Sequence, residues 1–404
     1  MVKNGFGVLC FSVFIAAIGV GIIYPVLPIY IKNLGASGFM IGLIFSSFFV
    51  SMALCTPFLG RLSDKVGKKL FITMGFALSA IIALAYVWVT NPSQFILVRF
   101  LNGISIAMIL PIIMAYIGEL APQGQEGSYM GIYSMSMFLG MAAGPVLGGI
   151  IFERWGSEQA FYSLAGSMGL AFLLTLVMLP ARTPKGSQTI AKSPFKEILA
   201  SRPLKGLLVF GFIFSTANSG LMVFLPLLAN NQKLSMSQIG ILASAFIFFA
   251  GILQAPFGWL ANRWNRGKLV ASSALIVAVG LAFLPLAKGF FPLLCLGSLL
   301  GMASALGPPA ANAMMVEHSR EIGLGVVSGS MNACNNAGAI IGPLVAGIIM
   351  DLINLDYAFY LFATIFIIGT LLFYYLTREV IEAARETTAP IVPGEVEEQG
   401  GPLP

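Results

Sequence analysis

The chain has 404 residues, 58% of them hydrophobic and 9% charged, with a mean hydropathy of +0.91. So much apolar surface cannot be hidden inside a water-soluble core, so lipid must be the main solvent and a soluble globular enzyme is excluded. The formal net charge is +6 at pH 7, and its placement along the chain decides what it means.

Apolar runs long enough to cross a hydrocarbon layer of about 30 Å as helices recur along the whole chain. Twelve are predicted, near residues 5–31, 38–59, 70–90, 94–117, 128–151, 160–180, 205–230, 237–259, 268–287, 290–315, 326–350 and 357–377. The first follows Lys3, as a signal peptide would, but it is too long and many spans come after it, so it is read as retained. With both termini on one side, that side collects 17 lysines and arginines: Lys3, the loop at 61–69, the stretch 182–205, Arg263, Arg266, Lys268, Arg320, Arg378 and Arg385. The other side has Lys32, Arg154, Lys233 and Lys288, and Arg99 remains inside a span. The positive-inside rule then assigns both termini to the cytoplasm. The expected location is the plasma membrane, or the inner membrane of a cell with two. The net charge reports topology, with no nucleic-acid partner required, and it suits contact with anionic lipid headgroups.

A self-match at one constant offset of 198 residues organises the chain. Pro28 falls on Pro226, Gly42 on Gly240, Gly60 on Gly258 and Lys65 on Arg263. The register continues through Gly103 on Gly301, Pro111 on Pro309, Glu119 on Glu317, Gly140 on Gly338, Gly144 on Gly342, Pro145 on Pro343 and Gly149 on Gly347. An even number of spans per unit keeps both halves in one orientation. The expected fold is an all-α polytopic membrane protein, two six-helix bundles related by a pseudo-two-fold axis along the membrane normal. Residues 1–180 form the first bundle, 181–204 a cytoplasmic linker with a surface helix in its second half, 205–377 the second bundle, and 378–404 a disordered tail.

Several motifs stand out. "GRLSDKVGKK", residues 60–69, has five charges in ten residues. An ordinary charged loop explains Arg61, Lys65, Lys68 and Lys69, but not Asp64, Gly60 or Gly67. These residues fill every defined position of Gly-x-Leu-small-Asp-basic-x-Gly-basic-basic, and so the stretch resembles the loop between helices 2 and 3 of the major facilitator superfamily. "RFLNGISIA" resembles the family's Arg-x-x-Gln-Gly element, with Asn102 in place of the glutamine. "GMAAGPVLGG", with Gly140, Gly144, Pro145, Gly148 and Gly149, resembles the signature of the family's drug/proton antiporters, and Gly342 and Pro343 repeat it in the second half. Plain close packing of small residues is the alternative for this element, and a proline beside glycine adds a hinge.

The resemblance covers residues 5–377 and implies a secondary transporter, without enzymatic activity or cofactor. It is expected to act as a monomer on a small-molecule substrate. Export of small amphipathic molecules or drugs by alternating access and proton antiport is the first expectation. An uncoupled facilitator, an anionic-metabolite exporter or a lipid translocase is the second, and a non-transporting receptor is a remote third. Proton coupling lacks its usual carboxylate: Asp64, Glu119 and Glu317 fall at cytoplasmic span ends, and Glu153, Glu158, Asp351 and Asp356 at outer ends.

Arg99 lies roughly 9 Å below the outer end of its span at about 1.5 Å per residue. Snorkelling to the surface is one reading of it. The sharper one places Arg99 and Asn102, one turn apart, on the central cavity in coupling or substrate binding. Tyr24, Asn218 and Asn332 are added as cavity candidates because the first and fifth helices of each half line the pathway in the family. The gating loop is expected to comprise Gly60, Asp64, Lys65, Gly67, Lys68 and Lys69 together with Glu119, the basic residues pairing with Glu119 and Asp64 facing the start of the eleventh helix near Val326.

Overall fold

A computed structural model describes residues 2–180, 198, 200–319 and 322–386, with side chains described between residues 5 and 378. Twelve helices long and apolar enough to cross a membrane occupy the expected places. They are α1 (Gly5–Asn33), α2 (Gly38–Val66), α3 (Lys68–Trp88), α4 (Gln94–Leu120), α5 (Glu126–Trp155), α6 (Ser157–Met178), α7 (Arg202–Asn231), α8 (Met236–Ala261), α9 (Arg266–Leu286), α10 (Phe290–His318), α11 (Leu324–Leu352) and α12 (Leu355–Arg378). The linker helix falls largely outside the described residues. The tail does not start where expected: the last helix continues to Glu386. "REVIEAARE" is made mostly of good helix formers with no breaker, so it propagates the helix out of the membrane.

Local chemistry sets the ends. The Ser37 hydroxyl accepts from Met40 N–H at the start of α2, Ser235 and Gln238 form a reciprocal capping box at α8, and the Asn265 side chain caps α9 through Lys268 N–H. Gly67, at φ 122°, makes the abrupt turn between α2 and α3 that a residue with a β-carbon would make under strain. In α4 the helix is interrupted at Met108 and Ile109, just before Pro111, which has no N–H to offer the carbonyl of Ala107. Proline alone does not decide this. The repeat-related α10 contains Pro308 and Pro309 and stays unbroken.

The 198-residue repeat is visible as contacts. A β-carbon on Gly103 would collide with the carbonyl of Phe48, and one on Gly301 with that of Phe246, its repeat mate. Likewise Lys68 pairs with Glu119 and Arg266 with Glu317, each at 2.8 Å. Within each half the small-residue face of one helix lies on another. Gly140, Gly144 and Gly148 of α5 press on the backbone of α1 from Phe14 to Ile22, and Gly338 and Gly342 of α11 on α7 from Phe212 to Thr216.

The opposite face of the same two helices joins the halves. Pro145 and Gly149 of α5 meet Gly240 and Met236 of α8, and Pro343 and Gly347 of α11 meet Gly42 and Gly38 of α2. Val146 N–H donates to the Ser244 hydroxyl at 3.1 Å, and the Ser46 hydroxyl to the Ile340 carbonyl at 2.5 Å. Each seam ends in a carboxylate placed on the first N–H groups of the facing helix. Asp351 accepts from Gly38 and Phe39 N–H at 2.6 and 2.7 Å, and Glu153, its repeat mate, from Ser237 N–H at 3.0 Å. Helix N-termini present unpaired N–H groups and positive potential, so both contacts are favourable. All these cross-half contacts lie toward the membrane face away from the chain termini. Toward the terminus-bearing face, the repeat-related Gly131 and Gly329 are exposed, with open space around the position of a β-carbon. The molecule is therefore sealed at one end and parted at the other.

If the carboxylates hold the seal, Glu153→Gln combined with Asp351→Asn will widen the distance between spin labels placed on the two halves at the sealed end. Asp351→Asn alone is expected to do more than Glu153→Gln alone, because Asp351 uses both oxygens on backbone N–H groups and an amide keeps one acceptor, whereas Glu153 takes both Ser237 bonds on a single oxygen. An unchanged distance distribution in the double variant would show that the glycine seams suffice.

Candidate functional site

Between the sealed end and the parted one lies a cavity of about 410 Å³. It is skewed toward the first half: α1 to α6 all line it, whereas α7 and α8 alone contribute from the second. Its wall is largely aromatic and apolar, with Phe45, Phe48 and Phe49 from α2, Phe76 from α3, Phe138 from α5 and Phe246 from α8, and with methionines 137, 141, 168 and 222 between them. Such a wall holds apolar molecules without fixing their shape, since the unbranched, polarisable Met side chain repacks readily.

Four of the five expected cavity residues line it: Tyr24, Arg99, Asn102 and Asn218. Asn332 is exposed on α11 and does not; its position near the parted end of that helix, where no partner helix closes over it, is the reason. Arg99 is drawn inward by two rings. Its guanidinium carbon lies 4.7 Å from the centroid of Phe45 and 4.6 Å from that of Phe48, so the snorkelling reading fails. Nη1 reaches Asn102 Oδ1 at 3.4 Å, the long end of hydrogen-bond range. An arginine at the bilayer centre costs about 2.5–3.5 kcal/mol on insertion scales, and two cation–π contacts of about 0.5–2 kcal/mol each offset much of that. Arg99 is the one charged side chain among the described residues that line the cavity.

One buried polar residue of the cavity wall escaped the sequence reading. Tyr86 of α3 is 1% exposed and lines the cavity, with its hydroxyl toward Arg99 at a geometry short of a well-formed hydrogen bond. Its ring is held between Phe95 and Phe161, at centroid distances of 5.8 and 5.4 Å. The repeat offset contained the signal that was missed. Arg99, Asn102, Tyr86 and Tyr24 fall on Gly297, Leu300, Leu284 and Met222, so the polar groups belong to one half only and the cavity leans toward them.

At the terminus-bearing face, the expected loop pairing is partly present. Lys68 Nζ bridges Asp64 at 2.6 Å and Glu119 at 2.8 Å. Asp64 thus has Lys68 as its partner, four residues along its own segment, in place of the expected start of α11. Among the described residues, the nearby Gly131 and Gly329 have open space around them at this end. Lys65 is exposed and Lys69 half-buried, and Gly60 has open space around it. In the small-residue elements, α5 and α11 run unbroken through Pro145 and Pro343, and the glycines there are occupied in close packing.

The chain matches the Major Facilitator Superfamily over residues 9–234 and 207–396. It is 29% identical over 392 residues to an uncharacterized MFS-type transporter of Methanocaldococcus jannaschii, covering 93% of this chain and 98% of that one. It is 28% identical over 351 residues to quinolone resistance protein NorA of Staphylococcus aureus, covering 85% and 89%. A solved bacterial homolog of the human lysosomal transporter Spinster, in an inward-facing and unoccupied conformation, matches at a TM-score of 0.80 with 15% identity, over 94% of this chain and 98% of that one.

Lys68 is only 9% exposed and serves two carboxylates that are themselves 32% and 27% exposed. Lys68→Met will therefore destabilise more than Asp64→Asn, by about 1–3 kcal/mol, because it removes a buried cation shared by two half-buried carboxylates, whereas Asp64→Asn removes one of that cation's two partners. Melting of the detergent-solubilised variants measures this, and equal losses would refute it. The repeat, the twelve spans, the matched motifs and the cavity between the bundles together place this chain in the Major Facilitator Superfamily, as a multi-pass membrane transporter.

Proposed function

We propose that the chain exports small amphipathic molecules or drugs from the cytoplasm by alternating access. The observation that carries this reading is the aromatic cavity itself, lined by residues of both halves beside seams that close the molecule at the end away from the termini. The excess of lysine and arginine on the terminus-bearing face supports a cytoplasmic placement of that face in the plasma membrane, from which the substrate would be loaded. The similarity to a quinolone resistance protein supports export of a drug-like molecule. The paired loop of Asp64, Lys68 and Glu119 would rearrange when the cytoplasmic end closes, and the Gly-Pro elements at residues 144–145 and 342–343 would let α5 and α11 slide on their neighbours.

Proton antiport is the driving force that the resemblance implies. A specific observation favours a second reading, the uncoupled facilitator: no carboxylate stands among the described residues that line the cavity. The two separate in liposomes containing the purified protein. Under the first, an imposed pH gradient drives saturable accumulation of an amphipathic dye, and collapsing the gradient abolishes it. Under the second, flux saturates but ignores the gradient. Absence of any saturable flux would sink both. Arg99→Ala is expected to reduce transport at least tenfold in either case while the protein still inserts.

A further inference from the structure

Three of the five buried polar atoms without a hydrogen-bond partner converge on one cavity: Arg99 Nε, the Tyr86 hydroxyl and Asn218 Oδ1. Buried polar groups are nearly always paired, and those left open inside a binding cavity await a ligand's own polar atoms. The set is also lopsided in charge. Arg99 is a permanent cation, and no acidic side chain lines the cavity with it among the described residues. Its neighbours are the faces of Phe45 and Phe48, which tolerate a cation but do not neutralise it.

We infer that the transported molecules have an acidic group, a carboxylate or its like, at one end of an apolar body, and that Arg99 and Tyr86 receive that group. This rests on the export reading above and names its substrate class. Tyr86 completes the recognition. Its hydroxyl is an O–H donor, Arg99 offers N–H donors, and both point their unmet capacity at an acceptor. Against an apolar, aromatic wall, a charge-assisted pair of this kind is stronger than its equivalent at a fully solvated surface. Cationic amphiphiles meet the opposite condition, a fixed positive charge in low dielectric without a carboxylate to balance it. The aromatic wall accepts either body, so the acidic end supplies the selectivity. In the second half the same positions are Gly297 and Leu284, so the acid has one orientation available and the substrate enters polar end first toward α3 and α4.

Three naphthalene probes of nearly one shape test this on the full-length protein in lipid nanodiscs: 1-naphthaleneacetate, 1-naphthaleneacetamide and 1-naphthylmethylammonium. Binding is followed by fluorescence and by calorimetry. The acetate is expected to bind at least about tenfold tighter than the amide and tighter still than the ammonium, in keeping with the strength of hydrogen bonds to charged groups. Arg99→Gln is expected to erase the preference, and Tyr86→Phe, which removes a single oxygen, to shrink it about threefold or more by weakening acetate binding more than amide binding. The wild-type ranking is decisive by itself should Arg99→Gln fail to fold. An ammonium that binds as well as the acetate, or a preference that survives both substitutions, overturns the inference and leaves the export reading standing. Binding of none of the three overturns both.

Discussion

Everything in this molecule depends on how closely its helices approach. In lipid there is no hydrophobic force between apolar helices, so association rests on van der Waals contact and on whatever hydrogen bonds the backbone can spare. Glycine supplies the contact. Where α5 and α11 meet four neighbours, a β-carbon at Gly144, Gly149, Gly342 or Gly347 would fall on a facing backbone. One face of each of these helices ties it to its own bundle and the other face to the partner bundle. The joint between the bundles is thereby a pair of smooth, mostly side-chain-free surfaces, which can separate at one end and meet at the other at modest cost.

On that symmetric scaffold the chemistry is asymmetric. The repeat keeps the glycines, the Lys68–Glu119 and Arg266–Glu317 pairs and the two end carboxylates in register. It does not keep Arg99, Asn102, Tyr86 or Tyr24, whose mates are small or apolar. The frame is duplicated, while the polar groups of the cavity are concentrated in one half. The skew of the cavity toward the first half follows from the same substitution pattern.

Some of this was legible in the residues. Twelve spans follow from hydropathy, because lipid demands long apolar helices. Arg99 announced itself as a charge where charge is expensive. Asn102 followed from one helical turn, and Tyr24 and Asn218 from the family's pathway helices. Tyr86 did not show, since a tyrosine in an apolar span near the membrane surface looks like any other interfacial aromatic residue. Asn332 misled for the converse reason: a polar residue on the right helix sits at the wrong height, outside the cavity. The partner of Asp64 was missed because a lysine four residues away competes with a helix terminus in the other bundle, and proximity decides when that bundle is parted. The break in α4 was equally hidden, for Pro111 and Pro309 share a position and only one interrupts its helix.

The sequence by itself determined the solvent, the number of helices, the duplication and the family. These depend on composition, periodicity and spacing, which are one-dimensional quantities. The tertiary structure alone decided which end of the molecule is closed, which aromatic rings surround Arg99, and that Tyr86 and Asn218 line the same cavity. Those are matters of angle and depth between helices far apart in the chain, and a few degrees of tilt between two bundles moves a side chain into the cavity or out of it.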